Sequence, residues 1–414
     1  MDSRKILLVG DKGESGLTGP LFRLFQLAEI LSSHYLVTVV GSKSVFSTLD
    51  SIQVLSHKEA VLKHLIREHD IVLCRPGLLS VKNLWQILSE KKYLVTDLFI
   101  PQPIEGLHYF SQITGAGQKY YNNSQRRLRR AIRCSDFFLC SSPSQRLFWL
   151  GAITGIRNLP VSFIVQDPHL SSLIDCVPLG ISEVSSEKNK HCGLVGNRDD
   201  IFKIVWGGGL WNWTDPELLL SSILSLEENV KKNIKVIFPG IVHSDTQIPL
   251  PLTADKVCKR VENSSELKKM VELTPGWLSL EQYRQKLYTS NLGISLHRNG
   301  VESVLSWRLR IISYIEAGIP VILSENCPLA ELIAEYGAGI VIPVESVEKC
   351  SQAISQLFLD REFYLKCKKA MNKIRQSLLL EKISKPLIEY CDAPRRAPDL
   401  KSLNLWTLPQ IVLP

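Results

Sequence analysis

Short apolar runs of strand length alternate along this chain with segments of helical periodicity, and the alternation starts twice. That rhythm is the tightest constraint on the fold, because parallel strands joined through helices need both faces of their sheet covered. The first start is "KILLV" (Lys5 to Val9), then a glycine-bearing loop, then the helical "LFRLFQLAEILSS" with Pro20 where a first turn tolerates it, then "LVTVVG". Further strands are expected at "DIVLCRP", "YLVTDLF" and "DFFLCSS". After "DCVPLGIS" the composition turns polar in "EVSSEKNKHCGLVGNRDD", which reads as a domain boundary. The second start is "FKIVW", a triple glycine, a helix capped by Asp215 with Pro216 in its first turn, and the strand "IKVIFPG". "LEQYRQKLYTS" reads as helix, "NLGISLH" as strand, "WRLRIISYIEAG" as helix, and "PVILSE" and "GIVIPV" as strands.

The expectation is an α/β protein of two Rossmann-like, doubly wound parallel-sheet domains facing across a cleft, residues 1–182 and 183–380. A length of 414 residues suits two cores. Residues 381–414 are expected to form a C-terminal helix and a proline-rich tail, either a strap or a poorly ordered end, with Leu403, Trp406 and Leu408 as its candidate anchors. Ligands of such sheets bind outside the carboxyl ends of the strands, so function is sought there.

A hydrophobic content of 45% with 22% charged residues is that of a folded globular chain. The N-terminal apolar run is too short for a signal peptide, and no apolar segment approaches the roughly 20 residues that span a bilayer. A cytoplasmic protein is expected, in which the sequons at Asn122, Asn212 and Asn263 carry no meaning. The ten cysteines include no CxxC pair and read as reduced core residues. The net charge of +8 favours anionic ligands without naming one, and no nucleic-acid partner is expected. In "QRRLRRAIR", Arg126, Arg129, Arg130 and Arg133 would share one helix face. That stripe is either a solvated face or a peripheral contact with an anionic membrane or a lipid-linked acceptor.

Two stretches carry the chemistry. Gly207, Gly208 and Gly209 lie at a strand-to-helix turn, either as a tight turn or as a cradle whose backbone N–H groups approach a phosphate. Trp211 and Trp213 offer broad faces to a ligand or to interdomain packing. The second stretch, "SLHRNGVESVLSWRLRIISYIEAGIPV", brings Ser295, His297, Glu302, Arg308 and Arg310 to the end of one strand. Arginine forks bind phosphate bidentately, and a carboxylate accepts from sugar hydroxyls. An ion pair between Glu302 and either arginine is the structural alternative.

This second stretch resembles retaining bacterial glycosyltransferases of the GT-B fold, the glycosyl transferases group 1 type. One branch reads Ser-Leu-His, four residues, Glu, three residues, Ser-Phe-Arg-Thr-Arg, and this chain keeps Ser295, Leu296, His297, Glu302, Ser306, Arg308, Arg310, Tyr314, Gly318 and Pro320. "WGGGLWNWTDP", "DFFLCSSPSQRLFWLG" and "PLIEYCDAPRRAPD" are similar to that branch as well, so the likeness is nearly whole-chain.

The resemblance implies transfer of a sugar from a nucleotide-diphosphate donor to a hydroxyl of a growing glycan or glycolipid, with retention. It implies no cofactor and no metal, with Arg308 and Arg310 stabilising the leaving diphosphate and His297 donating to the sugar or its phosphate. Gly207 to Gly209, Trp211, Trp213 and Ser295 would bind the donor, while Gly16, Gly19 and Asp97 would serve the acceptor side. Three positions depart from the pattern: Leu305 and Ser313 stand where the wider clan has glutamates, and Ile100 stands where the branch has an acid. Glu302 is then the best remaining acid, with Glu316 nearly a turn away from the clan's second position. Those losses keep open a protein that binds nucleotide or glycan without turnover, and a nucleotide-sugar epimerase is a third reading.

Overall fold

The computed structural model describes residues 4–11, 18–41, 46, 52–182, 201–241, 251–276 and 278–401. They fall into two compact units. One runs through Thr18–Leu179 and takes up the chain again at Leu380, and the other spans Gly180–Leu379.

The first unit holds a seven-stranded sheet of β1 (Lys5–Val9), β2 (Leu36–Val40), β3 (Gln53–Leu55), β4 (Ile71–Cys74), β5 (Tyr93–Asp97), β6 (Phe137–Cys140) and β7 (Ile174–Cys176). Their order is β3-β2-β1-β4-β5-β6-β7, and every pairing is parallel. In β1 the strand period sends Ile6 and Leu8 into one apolar cluster and Leu7 and Val9 into another. Burial on both faces is why this strand reads as an unbroken apolar run.

The C-terminal segment belongs to this unit. Tyr390, on the helix Lys385–Asp392, stacks on Phe137 with ring centroids 4.4 Å apart. Arg396 Nη1 then donates to Asp136 at 2.9 Å, and Arg157 Nε donates to Asp399 at 2.8 Å. The expected tail is thus a strap up to Lys401. Leu403, Trp406 and Leu408 lie outside the described residues.

The second unit has six parallel strands: β8 (Phe202–Val205), β9 (Ile234–Pro239), β10 (Val271–Thr274), β11 (Leu292–Ser295), β12 (Val321–Ser324) and β13 (Gly339–Ile342). Their order is β10-β9-β8-β11-β12-β13. Asp215 caps the helix Pro216–Leu224 by accepting from Leu218 N at 3.2 Å. The helix Leu309–Ala317 stops at Gly318, whose φ of +67° suits a residue without a side chain. Among the described residues, no helix is long and apolar enough to cross a membrane.

Candidate active site

In each sheet the strand order reverses once, between β1 and β4 in the first and between β8 and β11 in the second. A crevice opens at such a reversal, outside the carboxyl ends of the two flanking strands. In the second sheet β8 runs out into Trp206 to Gly209, and β11 runs out into Leu296 and His297. Both chemical stretches of the sequence therefore meet at one crevice.

Backbone bonds join them. Thr214 pairs with His297 in an isolated antiparallel bridge, Asp215 N donates to Leu296 O at 3.0 Å, and Arg298 N donates to Trp213 O at 3.1 Å. Trp211 and Trp213 stack on each other, centroids 5.5 Å apart and planes 8° from parallel. Asn212 between them accepts from Thr253 N and Oγ1 at 3.3 and 3.2 Å.

The glycine loop folds over the buried Tyr314 and the half-buried Tyr283. A side chain at Gly207 would meet the Tyr283 hydroxyl at 2.6 Å and the Tyr314 ring at 3.1 Å, and Gly208 has a φ of +80°. Gly207 N donates to the Tyr314 hydroxyl at 2.6 Å, so it is committed to the turn. The N–H groups of Gly208 and Gly209 engage no partner among the described residues. Tyr314 also lies 2.8 Å from Ile294 O and 3.1 Å from Val205 O, tying the ends of β8 and β11 together. Its ring occupies the space a side chain at Gly293 would fill. Burial pushes the Tyr314 phenol well above its ordinary range and the Tyr283 phenol up to about 12, so both are neutral hydrogen-bonding groups.

Arg310 Nη2 donates to Gly209 O at 2.8 Å, and the guanidinium lies over the Trp206 ring, 4.9 Å from its centroid. Its Nη1 is buried without a partner among the described residues. Burial, foremost, and the neighbouring Arg308 work against its charge. Arg308 Nη2 donates to Glu302 Oε2 at 2.8 Å, and Ser306 Oγ donates to Glu302 Oε1 at 2.6 Å. Glu302 is 2% exposed, so the ion pair foreseen as its structural alternative is formed. Arg308 Nε is likewise buried and unpartnered among the described residues.

His297 adds a polarity that spacing does not give. Its Nε2 lies 2.8 Å from Glu325 O, a group that only accepts, so Nε2 carries the proton. Burial first and Arg308 next lower its pKa to about 3, leaving the ring neutral. The remaining nitrogen, Nδ1, is buried and unpartnered among the described residues, and it presents a lone pair. With the proton on Nε2, Nδ1 is an acceptor, so the expected donation from His297 to the sugar would have to come from a different protonation state.

The other expected residues are placed as follows. Ser295 is buried at the end of β11, opposite Leu323. Asp97 accepts from Arg23 Nε at 2.9 Å on one oxygen and from Arg23 Nη2 at 3.2 Å on the other, with both side chains buried. Gly19 opens the helix Gly19–Ser32, and a side chain added there would meet nothing within 4 Å. Gly16 lies outside the described residues. Glu316 turns to Arg284, whose Nη2 donates to it at 2.9 Å. Leu305 and Ser313 are buried, and Ser313 Oγ donates to Leu309 O. The residues that sequence reading missed are Tyr283 and the part Tyr314 plays. Tyr314 stands one turn after Arg310, a spacing that could have flagged it, whereas Tyr283 arrives from another helix with no pattern to announce it.

Residues 309–374 match the family model described as "Glycosyl transferases group 1". The matched segment is similar to that family over these residues. It begins at the helix that holds Arg310 and Tyr314, and it indicates an enzyme of the glycosyltransferase class. Among curated proteins none matches the sequence. Solved structures do match in fold. Alr3699/HepE of Anabaena in complex with UDP-glucose is 14% identical with a TM-score of 0.60, over 94% of this chain and 99% of that one. Sucrose-phosphate synthase from Thermosynechococcus elongatus is 12% identical with a TM-score of 0.60, over 93% and 98%. WaaG, a glycosyltransferase involved in lipopolysaccharide biosynthesis, is 12% identical with a TM-score of 0.59, over 94% and 98%. Two parallel-sheet α/β units of this kind are the GT-B architecture.

Proposed function

We propose that this group 1 chain moves a sugar from a nucleotide-diphosphate donor to a hydroxyl of a growing glycan or lipid-linked acceptor, with retention, in the cytoplasm of a bacterium. One observation carries the reading. Arg308 Nε, Arg310 Nη1 and His297 Nδ1, at the strand-order reversal of the second sheet, are all buried without partners among the described residues. Buried polar atoms are ordinarily satisfied, so two unsatisfied guanidinium donors beside an acceptor describe the missing ligand: an anion joined to a group with hydroxyls. A sugar diphosphate fits both halves. That one of the similar folds was solved with UDP-glucose supports a uridine donor here.

In this reading Arg308 and Arg310 stabilise charge on the departing diphosphate, where a divalent metal would otherwise serve. Gly208 and Gly209 N–H groups approach the same phosphates. The acceptor hydroxyl loses its proton late, to a donor phosphate oxygen, so no free carboxylate is required beside the reacting carbon. His297 Nδ1 accepts from a sugar hydroxyl.

A second reading, binding without turnover, is favoured by the engagement of Glu302 and Asp97 in ion pairs. Thermal unfolding with UDP, GDP, dTDP, ADP and CMP sugars, followed by donor hydrolysis without acceptor, separates the two. Stabilisation by one nucleotide class together with slow release of free sugar supports transfer. Stabilisation without any release supports the binding protein, and no stabilisation by any donor overturns both.

A further inference from the structure

The helix Gly117–Cys134 packs on the first unit through Leu128, Ala131 and Ile132. From Gly106 to Ser135 the chain contains no Asp or Glu, yet it holds Lys119, Arg126, Arg127, Arg129, Arg130 and Arg133. Elsewhere the charges are nearly balanced, with 49 basic and 41 acidic residues in the whole chain. Among the described residues Arg126, Arg127 and Arg129 are exposed and form no ion pair, whereas exposed cations elsewhere, such as Lys259 and Arg67, meet carboxylates. The helix dipole favours cations only in the last turn, which accounts for Arg133 and leaves Arg126, Arg127 and Arg129 unexplained.

The other end of the same helix is apolar. It forms a hairpin with the helix Gln102–Phe110, closed tightly because a side chain at Gly117 would strike Phe110 O at 2.1 Å. Phe110 packs on Tyr109 edge to face at 5.2 Å and on Tyr120 at 6.3 Å. Leu107 and Tyr120 at this tip are 54% and 51% exposed. An aromatic and aliphatic tip beside a long one-sign cationic face is the pattern of an element that lies in a bilayer interface, with rings at headgroup depth and arginines over anionic lipid. Nucleic acid would use the cations but would leave exposed Leu107 without a role.

We propose that the hairpin 102–134 docks the first unit on an anionic lipid bilayer, with Leu107 and Tyr120 entering the interface and Arg126, Arg127 and Arg129 neutralising headgroup charge. This stands independently of the transferase reading, since it uses none of the residues at the second sheet. The test is flotation of the full chain with vesicles of phosphatidylcholine alone or mixed with phosphatidylglycerol, at low and high salt. Binding is expected only with phosphatidylglycerol, weakening as salt rises. Each Arg→Ser change at 126, 127 or 129 should weaken it about fivefold, and Arg→Lys should retain it. Leu107→Ser with Tyr120→Ser should weaken binding about tenfold and leave its salt dependence intact. All five positions are exposed, so the variants should melt as the wild type does. Equal binding to both vesicle types, or binding untouched by the arginine changes, overturns the proposal.

Discussion

The two strand-order reversals have the same topology and opposite electrostatics. At the first, Arg23 spends its donors on both Asp97 oxygens and on the carbonyls of Val177 and Pro178, and Arg75 meets Asp11 at 2.7 Å. At the second, two arginines and a histidine keep buried atoms that nothing among the described residues satisfies. A saturated buried network fixes a fold. An unsaturated one lowers the stability of the empty protein and is tolerated when a ligand completes it. The comparison therefore predicts that Arg23 serves the fold and that Arg308 and Arg310 serve a ligand.

Substitution tests that separation most sharply. Arg23→Ala leaves the Asp97 carboxylate buried and alone, and should cost about 3–5 kcal/mol of stability. In a unit of this size that lowers the melting temperature by on the order of 10 °C. Arg310→Ala removes a cation that bonds Gly209 O and stacks on Trp206 but strands no buried carboxylate, so the melting temperature of the ligand-free protein should fall by less than in Arg23→Ala while kcat falls about 100- to 1,000-fold. Calorimetry and a donor-turnover assay on the two variants check both. If Arg310→Ala melts like Arg23→Ala, the second site is as structural as the first and the contrast collapses.

Smaller in effect is Tyr314→Phe. Its hydroxyl satisfies Gly207 N and lies within hydrogen-bond reach of Ile294 O and Val205 O, so its loss leaves buried backbone groups unpaired at a cost of about 2 kcal/mol. Because the glycine turn is built on that hydroxyl, donor affinity should fall with stability. Loss of stability with unchanged affinity would show that the turn does not shape the site.

The central strands were legible in the sequence because burial on both faces writes a nearly unbroken apolar run, as in "KILLV" and "IKVIFPG". The edge strands β3, β7 and β10 were not. They span three or four residues with half-exposed positions, and β10 follows the helix Ser265–Met270 with no turn residue between them. The gathering of His297, Glu302, Arg308 and Arg310 was legible too, since a strand end and a helix start confine them to one place. Which groups they satisfy was not. The Glu302 ion pair and the Glu325 carbonyl behind His297 depend on side-chain directions and on the β12 exit, and spacing carries neither.

That carbonyl sets the weakest and most specific prediction. Folding lowers the His297 pKa from its ordinary 6.5 to about 3, so between those values the unfolded chain holds a proton that the folded one refuses. Protons bound by the unfolded state make stability rise with pH, so this contribution is complete above about pH 6.5 and is lost as pH falls toward 3. Within the window the slope is about 1.4 kcal/mol per pH unit. His297→Asn keeps a donor for Glu325 O and removes the titration. The difference in unfolding free energy between pH 7.5 and pH 5 should thus be smaller in the variant by about 2 kcal/mol, with other titrating groups cancelling. In wild type the pH profile of kcat/KM should show no inflection near 6.5, since a ring already neutral has no proton to lose there. An inflection at 6.5 that vanishes in His297→Asn would make His297 a charged donor after all, and the proposal that Nδ1 accepts from a sugar hydroxyl would fall.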